Sequence, residues 1–223
     1  AWMDRRHATG GKFDYAPDES DADDDLVRQK GHEHEAEVLE MLRAKHNDCA
    51  EIPREDTAET QTLADMQAGR QLIYQGRLSI PGWHGYPDFL IKTATPSAFG
   101  AWAYWPMDSK LARSAKPYFL IQLCAYADYL ERAQSLRPAQ LGFVFGNNTE
   151  QSFETERYFY FYRHLKEAFE RFQAAFDPAT PPDPALESSF GRWEAAAQAM
   201  LTESDALRLI ARITRSQIKR LRD

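Results

Sequence analysis

The spacing of hydrophobic and polar positions divides the chain into helical and extended segments. The clearest helical pattern covers residues 31–45, where the positions at i, i+4, i+7 and i+8 share one predicted apolar face. These positions are His34, Val38, Met41 and Leu42. Further helices are predicted over residues 57–69, 116–133, 158–176, 185–200 and 204–222. Extended apolar runs separated by turn residues predict a meander of three strands and a later core strand, over residues 71–80, 83–93, 101–108 and 141–145. This mixture of elements indicates an α/β protein.

Two stretches of biased composition mark the ends of the predicted core. Residues 1–25 contain two adjacent glycines and an acidic run, which is typical of a solvated linker or of a negatively charged helix start. We expect this segment to be an acidic linker without a catalytic role. Residues 177–184 contain four prolines and are the best candidate for a domain boundary. The central domain is therefore expected over residues 26–177 and a helical C-terminal extension over residues 185–223. Because the chain begins without Met and its last predicted helix reaches the end, we expect it to be a segment of a longer protein.

Composition and charge limit the functions that are open to the chain. Its 223 residues, of which 43% are hydrophobic, can bury a sizeable core, which excludes global disorder. The formal net charge of -7 provides no overall positive field for nucleic acid or an anionic membrane, so any nucleic-acid role must come from local charge. Cys49 and Cys124 lack the paired spacing of a disulfide framework or a zinc site. With no signal peptide or membrane-spanning stretch in the sequence, we expect a soluble, cytoplasmic protein without a membrane partner.

The most informative polar residues follow one another through the predicted meander and the next helix. Asp108 and Lys110 are two residues apart on a predicted strand, so the carboxylate and the ammonium are expected on the same face. Asp88 is expected near the middle of the preceding strand, where a buried carboxylate needs a partner such as a metal ion. Gln122 and Tyr126 are spaced i, i+4 on the following helix, so both can reach one edge of the same site.

This set of residues suits phosphodiester hydrolysis. Two carboxylates and a histidine offer oxygen and nitrogen ligands for Mg²⁺ or Mn²⁺, and a lysine beside the metal can hold a water or a phosphate oxygen. Arg113 and Lys116 lie close by in sequence and are candidates for contacts with nucleic-acid phosphates. The basic residues of the last predicted helix could make such contacts too, or could form a solvated face.

These motifs resemble those of the PD-(D/E)XK nuclease superfamily. The Pro-Asp pair at 87–88, followed by Asp-Ser-Lys at 108–110, looks like the superfamily signature, and Gln122 with Tyr126 looks like the QxxxY motif of the RecB-like branch. Residues 31–35 resemble the first motif of that branch, in which a helical histidine joins the metal ligands. The likeness is greatest to RecB-like nucleases related to the CRISPR-adaptation nucleases, and it covers nearly the whole chain. It also shows in three further segments, residues 73–75, 96–102 and 110–113.

The resemblance implies a role for each residue of the predicted site. His34, Asp88 and Asp108 would hold the divalent ion, together with the main-chain carbonyl of Ser109. Lys110 would orient or help to deprotonate the attacking water and offset the charge that grows on the phosphate.

Other residues near these motifs would support the metal ligands or the substrate. Gln122 and Tyr126 would position the scissile strand or the lysine, and Glu35 would be a supporting or additional ligand. His32 is the rival for the histidine role, but it falls about 200° around the helix from His34, outside the apolar face.

One feature of the family is missing from this sequence. Many RecB-like relatives bind a 4Fe–4S cluster through one upstream and three C-terminal cysteines. The corresponding stretch here, residues 187–197, contains no cysteine, and the whole chain has only two. Because a cluster needs four such ligands, we expect none, and we expect Trp193 to pack where the cluster lies in those relatives.

Taken singly, the candidate residues have plainer interpretations. Asp88 could be a turn carboxylate at a strand end, His34 a buried core histidine, and Asp108 with Lys110 a surface ion pair of little consequence. Tyr126 could simply pack in the core. Their occurrence together and in this order favours the functional interpretation.

The resemblance implies a restriction-endonuclease-like α/β fold, in which helices flank a mixed sheet, with a helical C-terminal extension. The implied activity is divalent-metal-dependent hydrolysis of DNA, as an exonuclease on single strands or ends, in DNA repair. Two other functions remain open: a nucleic-acid-binding module of a larger helicase–nuclease with weak or no catalysis, and a structural or partner-docking domain. DNA and a fused or associated helicase are the expected partners of a nuclease.

Overall fold

The chain folds into helices and strands in the mixture expected of an α/β protein. The computed structural model describes residues 1–10, 15–19, 22–187 and 189–222. Its strands are β1 (Cys49–Glu51), β2 (Leu72–Tyr74), β3 (Leu78–Ile80), β4 (Trp83–Gly85), β5 (Phe89–Thr93), β6 (Ala103–Lys110), β7 (Gln140–Phe145) and β8 (Glu150–Glu154). Its α-helices are α1 (Trp2–Ala8), α2 (Ala22–Lys45), α3 (Ala58–Ala68), α4 (Pro117–Gln134), α5 (Glu156–Ala174), α6 (Glu194–Glu203) and α7 (Arg215–Arg222). Short 3-10 helices lie at Pro184–Leu186, Gly191–Trp193 and Leu207–Leu209.

The larger sheet in the described part of the chain is mixed. Its six strands follow the order β1-β2-β5-β6-β7-β8. β1 runs parallel to β2 and β6 parallel to β7, whereas β5 is antiparallel to both of its neighbours and β8 is antiparallel to β7. β3 and β4 pair separately as an antiparallel hairpin. Because Phe89 lies opposite Met107, the first residue of β5 sits next to the end of β6, where Asp108 and Lys110 follow.

Helices cover both faces of this sheet. On one face, Val38 and Leu42 of α2 are buried in a core with Phe89 and Met107. On the other face, α4 packs against the alternate residues of the sheet strands. This second core includes Leu123 of α4, Tyr104 of β6 and Phe143 of β7. Successive side chains of a strand point to opposite faces, so each strand contributes side chains alternately to the two cores. The mixed sheet flanked by helices agrees with the predicted architecture.

The predicted apolar face of α2 is confirmed, although the helix is longer than expected. His34 is buried one turn before Val38, and His32 is exposed. The helix begins at Ala22, and its first turn contains the acidic side chains of residues 23–25. Negative charge at a helix N-terminus is favourable because it interacts with the unpaired N–H groups there.

The prediction that Asp88 lies near the middle of a strand is wrong. The predicted strand over 83–93 is two strands, and Asp88 occupies the bend immediately before β5. Pro87 has no N–H to donate, and the Tyr86 carbonyl accepts a hydrogen bond from Tyr126 rather than from a strand. The predicted strand over 71–80 is likewise divided, at Gln75, which has a left-handed φ of 57°.

The chain divides into two compact units. The core unit is Asp23–Ala168, and the terminal unit combines Ala1–Ala22 with Phe169–Asp223. The boundary between the two units therefore falls within α5 rather than at the proline-rich stretch, residues 177–184. The N-terminal segment that was predicted to be a linker belongs to a folded unit together with the C-terminal segment.

Within the terminal unit, side chains tie the N-terminal segment to the C-terminal helices. Trp193 is buried, and its Nε1 donates to Asp4 at 3.1 Å. The Asp18 carboxylate accepts from the main-chain N–H of Glu194 at 2.7 Å, at the start of α6. Trp2 Nε1 donates to the carbonyl of Asp177 at 2.9 Å. Among the described residues, no helix has both the length and the apolar character that crossing a bilayer would require.

Candidate functional site

Two carboxylates meet where the start of β5 lies beside the end of β6. Asp88 Oδ2 accepts hydrogen bonds from the main-chain N–H of Ser109 at 2.8 Å and from its hydroxyl at 3.0 Å. Asp108 is only 1% exposed and forms an ion pair with Lys110, as the strand spacing predicts. The structure therefore brings together four of the predicted site residues, Asp88, Asp108, Ser109 and Lys110.

The two carboxylates are not fully neutralised by their surroundings. Burial raises the pKa of Asp88 well above its usual range, the neighbouring Asp108 raises it further, and the N–H of Ser109 opposes the shift. Asp108 Oδ1 is buried and has no hydrogen-bond partner among the described residues. One ammonium, from Lys110, thus faces two acidic groups, and a buried carboxylate without full compensation is costly.

A third carboxylate, Glu35 of α2, is linked through Gln75 to the main chain of Asp88. Its Oε1 accepts from the Tyr74 hydroxyl at 3.0 Å and from the Gln75 side-chain amide. The main-chain N–H of Gln75 in turn donates to the Asp88 carbonyl at 2.8 Å. The charge of Glu35 also contributes to the raised pKa of Asp88.

His34, the predicted nitrogen ligand, lies differently. It is 6% exposed, and its Nε2 is 3.3 Å from the main-chain oxygen of Val144. His34 belongs to the α2 side of the sheet, whereas Asp108 alternates with Met107 and points to the α4 side. Among the described residues, no group of three or more His, Cys, Asp or Glu side chains is arranged so that it could hold a metal ion. The ligand role of His34 stays a prediction.

The donor set at the carboxylate pair fits a divalent cation. Asp88 and Asp108 supply hard oxygen atoms, the ligands that Mg²⁺ and Mn²⁺ favour, and Asp108 Oδ1 is an orphaned buried acceptor. A bound cation would offset the repulsion that raises the pKa of Asp88.

Gln122 and Tyr126 form a chain of hydrogen bonds that ends on the segment before Asp88. Gln122 Nε2 donates to the Tyr126 hydroxyl at 3.0 Å, and that hydroxyl donates to the Tyr86 carbonyl at 3.1 Å. The Tyr126 ring fills the space beside Gly85, where an added Cβ would lie 2.6 Å from a ring carbon. Burial raises the pKa of Tyr126, so its hydroxyl remains a neutral donor. The pair therefore fixes the bend that presents Asp88.

The predicted phosphate-contacting residues lie in the loop between β6 and α4. Arg113 and Lys116 are both exposed. Lys116 Nζ lies 5.9 Å from the ring centres of Tyr118 and Phe119, and Lys110 Nζ lies 5.4 Å from that of Phe119. With Tyr118 62% exposed, this loop offers cations and an accessible aromatic ring within one short segment.

Sequence reasoning missed the role of Gln75 in this site. Gln75 bridges Glu35 and Arg54, since its Nε2 donates to the former and its Oε1 accepts from the latter at 3.0 Å. A non-glycine residue with φ near +57° is strained, and such residues are found preferentially at functional sites. The available signal was the segment 73–75, which the family resemblance includes without assigning a role to the glutamine.

Comparison with models of known protein families and with curated proteins finds no match for this chain.

Proposed function

We propose that the core unit is a divalent-metal-dependent nuclease that hydrolyses phosphodiester bonds of DNA, as an exonuclease on single strands or ends. We also propose that its flanked mixed sheet is of the restriction-endonuclease-like type. The observation that carries the proposal is the pair of Asp88, which is half-buried, and Asp108, which is buried, bound to Lys110 and left with an unsatisfied oxygen.

In this proposal, Asp88 and Asp108 hold the metal ion together with the carbonyl of Ser109, and His34 and Glu35 are the candidates for a further ligand. When bound, a divalent ion polarises the phosphate and lowers the pKa of a coordinated water.

The protein's own side chains orient the substrate and manage charge. The ammonium of Lys110, held by Asp108, can hydrogen-bond to the attacking water and offset negative charge on the phosphate. Tyr126 keeps Asp88 in place through the Tyr86 carbonyl. Gln122, whose side chain is exposed, and the cations of the loop after β6 are available to the DNA strand.

The test is cleavage of end-labelled DNA by the whole chain in Mg²⁺, in Mn²⁺ and in EDTA. We expect Asp108→Asn and Lys110→Ala to lower the cleavage rate about 100-fold or more, because each removes charge at the reacting centre. The matched control is Asp128→Asn. Like Asp108, Asp128 is a carboxylate bound to a lysine, in this case Lys166 at 2.7 Å, but it is half-buried and lies between α4 and α5. This variant should cleave DNA at close to the wild-type rate.

The choice of DNA substrate tests the exonuclease proposal. Linear single strands should be degraded, and covalently closed single-stranded circles should survive. Cleavage of circles would establish an endonuclease instead. Activity that persists in Asp108→Asn at the wild-type rate would show that the carboxylate pair is not the catalytic site.

A second candidate function is a nucleic-acid-binding module with weak or no catalysis. It is favoured by the lack, among the described side chains, of a three-ligand group that could hold a metal ion. DNA binding without turnover in either metal would establish this alternative.

A further inference from the structure

Two arginines gather around the ring of Tyr86, two residues before Asp88. The guanidinium carbon of Arg54 lies 4.8 Å from the ring centre, and that of Arg77 lies 5.9 Å from it. These arginines come from separate segments, Arg54 from the loop between β1 and α3 and Arg77 from the loop between β2 and β3. The fold therefore places two cations at one aromatic side chain.

The described contacts leave both guanidinium charges without a carboxylate. Arg54 donates from its Nε to the neutral amide oxygen of Gln75 at 3.0 Å. Arg77 Nε is buried and has no hydrogen-bond partner among the described residues. By contrast, Arg137 stacks on Phe159 at 3.8 Å and also forms ion pairs with two glutamates.

Two like charges that share one ring are stabilised by an anion. A cation over an aromatic face gains only about 0.5–1 kcal/mol at an exposed site, and the charges still repel each other. The planar guanidinium group presents paired N–H donors that match the geometry of phosphate oxygens. A phosphodiester group is therefore the chemistry that this arrangement recognises.

Hydrogen bonds connect Arg54 to the segment that carries Asp88, and both arginines lie against the ring of Tyr86 in that segment. Tyr86 is fixed by the bond from Tyr126 to its carbonyl. Gln75, which accepts from Arg54, donates from its main chain to the carbonyl of Asp88. A nucleic-acid strand with one phosphate at the acidic site could therefore place a neighbouring phosphate beside Tyr86.

We infer that Arg54, Arg77 and Tyr86 form a second phosphate-binding site, which holds the DNA strand next to the acidic site. This inference rests on the proposed function and adds a strand-positioning site to it. The arginines are positioning residues, since they lie outside the set of groups proposed to act on the scissile bond.

The test is the salt dependence of binding of a fluorescein-labelled single-stranded oligonucleotide, measured by anisotropy in EDTA so that no cleavage intervenes. Each phosphate contact that is lost should reduce the slope of log K against log salt by about 0.7. We expect Arg54→Gln and Arg77→Gln each to lower the slope by that amount and the double variant to lower it by about 1.4. Arg54→Lys keeps the charge and should retain most of the slope.

The control variant is Arg157→Gln, which removes an exposed arginine that is already paired with Glu154. It should leave the slope unchanged. A slope equal to that of the wild type in the Arg54 and Arg77 double variant would overturn the inference, and thermal unfolding of that variant would show that it is folded.

The wild-type chain separates this inference from the proposed nuclease activity. If the wild type cleaves DNA and the double variant keeps its slope, the arginine site is wrong and the nuclease stands. If the wild type binds DNA without cleavage and the slope falls as expected, the arginine site stands and the nuclease proposal fails. If the wild type binds no DNA at all, both are overturned. In a cleaving enzyme, the double variant should raise KM and leave kcat nearly unchanged.

Discussion

Replacement of Asp88 with asparagine should make the metal-free protein more stable. Asp88 is a half-buried acid beside Asp108, and its desolvation together with that neighbour raises its pKa in the folded protein. An asparagine has nearly the same shape and keeps an oxygen that can accept from both donors of Ser109. Its amide nitrogen can donate to Asp108, where the wild type has two acidic groups in contact.

The expected gain follows from the hydrogen bonds that change. A hydrogen bond to a charged group is worth about 1.5–3 kcal/mol, and the two bonds from Ser109 become weaker when their acceptor is neutral, at a cost of about 1 kcal/mol. The net gain in the free energy of unfolding is therefore about 0.5–2 kcal/mol. In a protein of this size, that corresponds to a rise in Tm of about 1–8 °C.

The gain should depend on pH in a defined direction. Because the pKa of Asp88 is raised in the folded state, its protonated form stabilises the fold below the unfolded pKa of about 3.9. That stabilisation is lost as the pH rises through the folded pKa. The advantage of Asp88→Asn should thus be small near pH 4 and largest at neutral and higher pH.

Thermal unfolding in EDTA and in excess Mg²⁺ or Mn²⁺ tests this reasoning. A metal at 100 times its Kd stabilises the wild type by about 2.7 kcal/mol, and the asparagine variant should gain less. The control, Asp128→Asn, loses its ion pair with Lys166 and should be less stable than the wild type in every buffer. An Asp88→Asn protein that is less stable than the wild type in EDTA at pH 8 would refute the account of the carboxylate pair.

Three further predictions concern residues around the site and in the terminal unit. Gln75→Gly relieves the strain of the left-handed φ but removes the hydrogen bond to Glu35. The rate of DNA cleavage should therefore fall about tenfold while Tm changes little, and cleavage at the wild-type rate would exclude a role of Gln75 in positioning Glu35. Tyr126→Phe removes a hydroxyl that makes two hydrogen bonds, and denaturant unfolding should show a loss of about 1–2 kcal/mol, whereas an unchanged stability would contradict the geometry. Burial favours a higher pKa for Asp4, but a hydrogen bond from Trp193 and nearby positive charges outweigh it and lower the pKa to about 2. The stabilisation that the charged Asp4 carboxylate gives to the fold should therefore be lost as the pH falls from about 4 to 2. In Asp4→Asn, tryptophan fluorescence should lack that transition, and an unchanged transition would contradict the assignment.

Features of the site that depend on local spacing could be predicted from the sequence. The two-residue repeat of a strand gives the Asp108–Lys110 ion pair, and the helical repeat gives the bond between Gln122 and Tyr126. The buried position of His34 follows from the same helical repeat. The ion pair and the hydrogen bond each join two residues of one element, and the burial of His34 follows from the pattern of a single helix, so the tertiary fold is not needed to predict them.

Features that depend on distant contacts could not be predicted. The bend at Asp88 is set by a hydroxyl from Tyr126, forty residues away from the carbonyl that it binds. Strand β8 was not predicted because its residues, which are mostly exposed and polar, lack the alternation of apolar and polar positions that marks a half-buried strand. The folded state of the N-terminal segment depends on Asp18, whose partner in α6 lies far along the chain.

The net charge of -7 and a role in phosphate binding are compatible because charge acts locally in salt solution. At physiological ionic strength, interactions between exposed charges fade beyond about 8 Å. Many of the acidic side chains, such as Asp128 and Glu154, are already paired with cations of their own. Arg54 and Arg77, by contrast, make no ion pair in the described part of the chain, and they are joined through Gln75 and Tyr86 to the segment that carries Asp88. A strand of DNA would therefore meet unpaired cations close to the carboxylates, whatever the sign of the total charge.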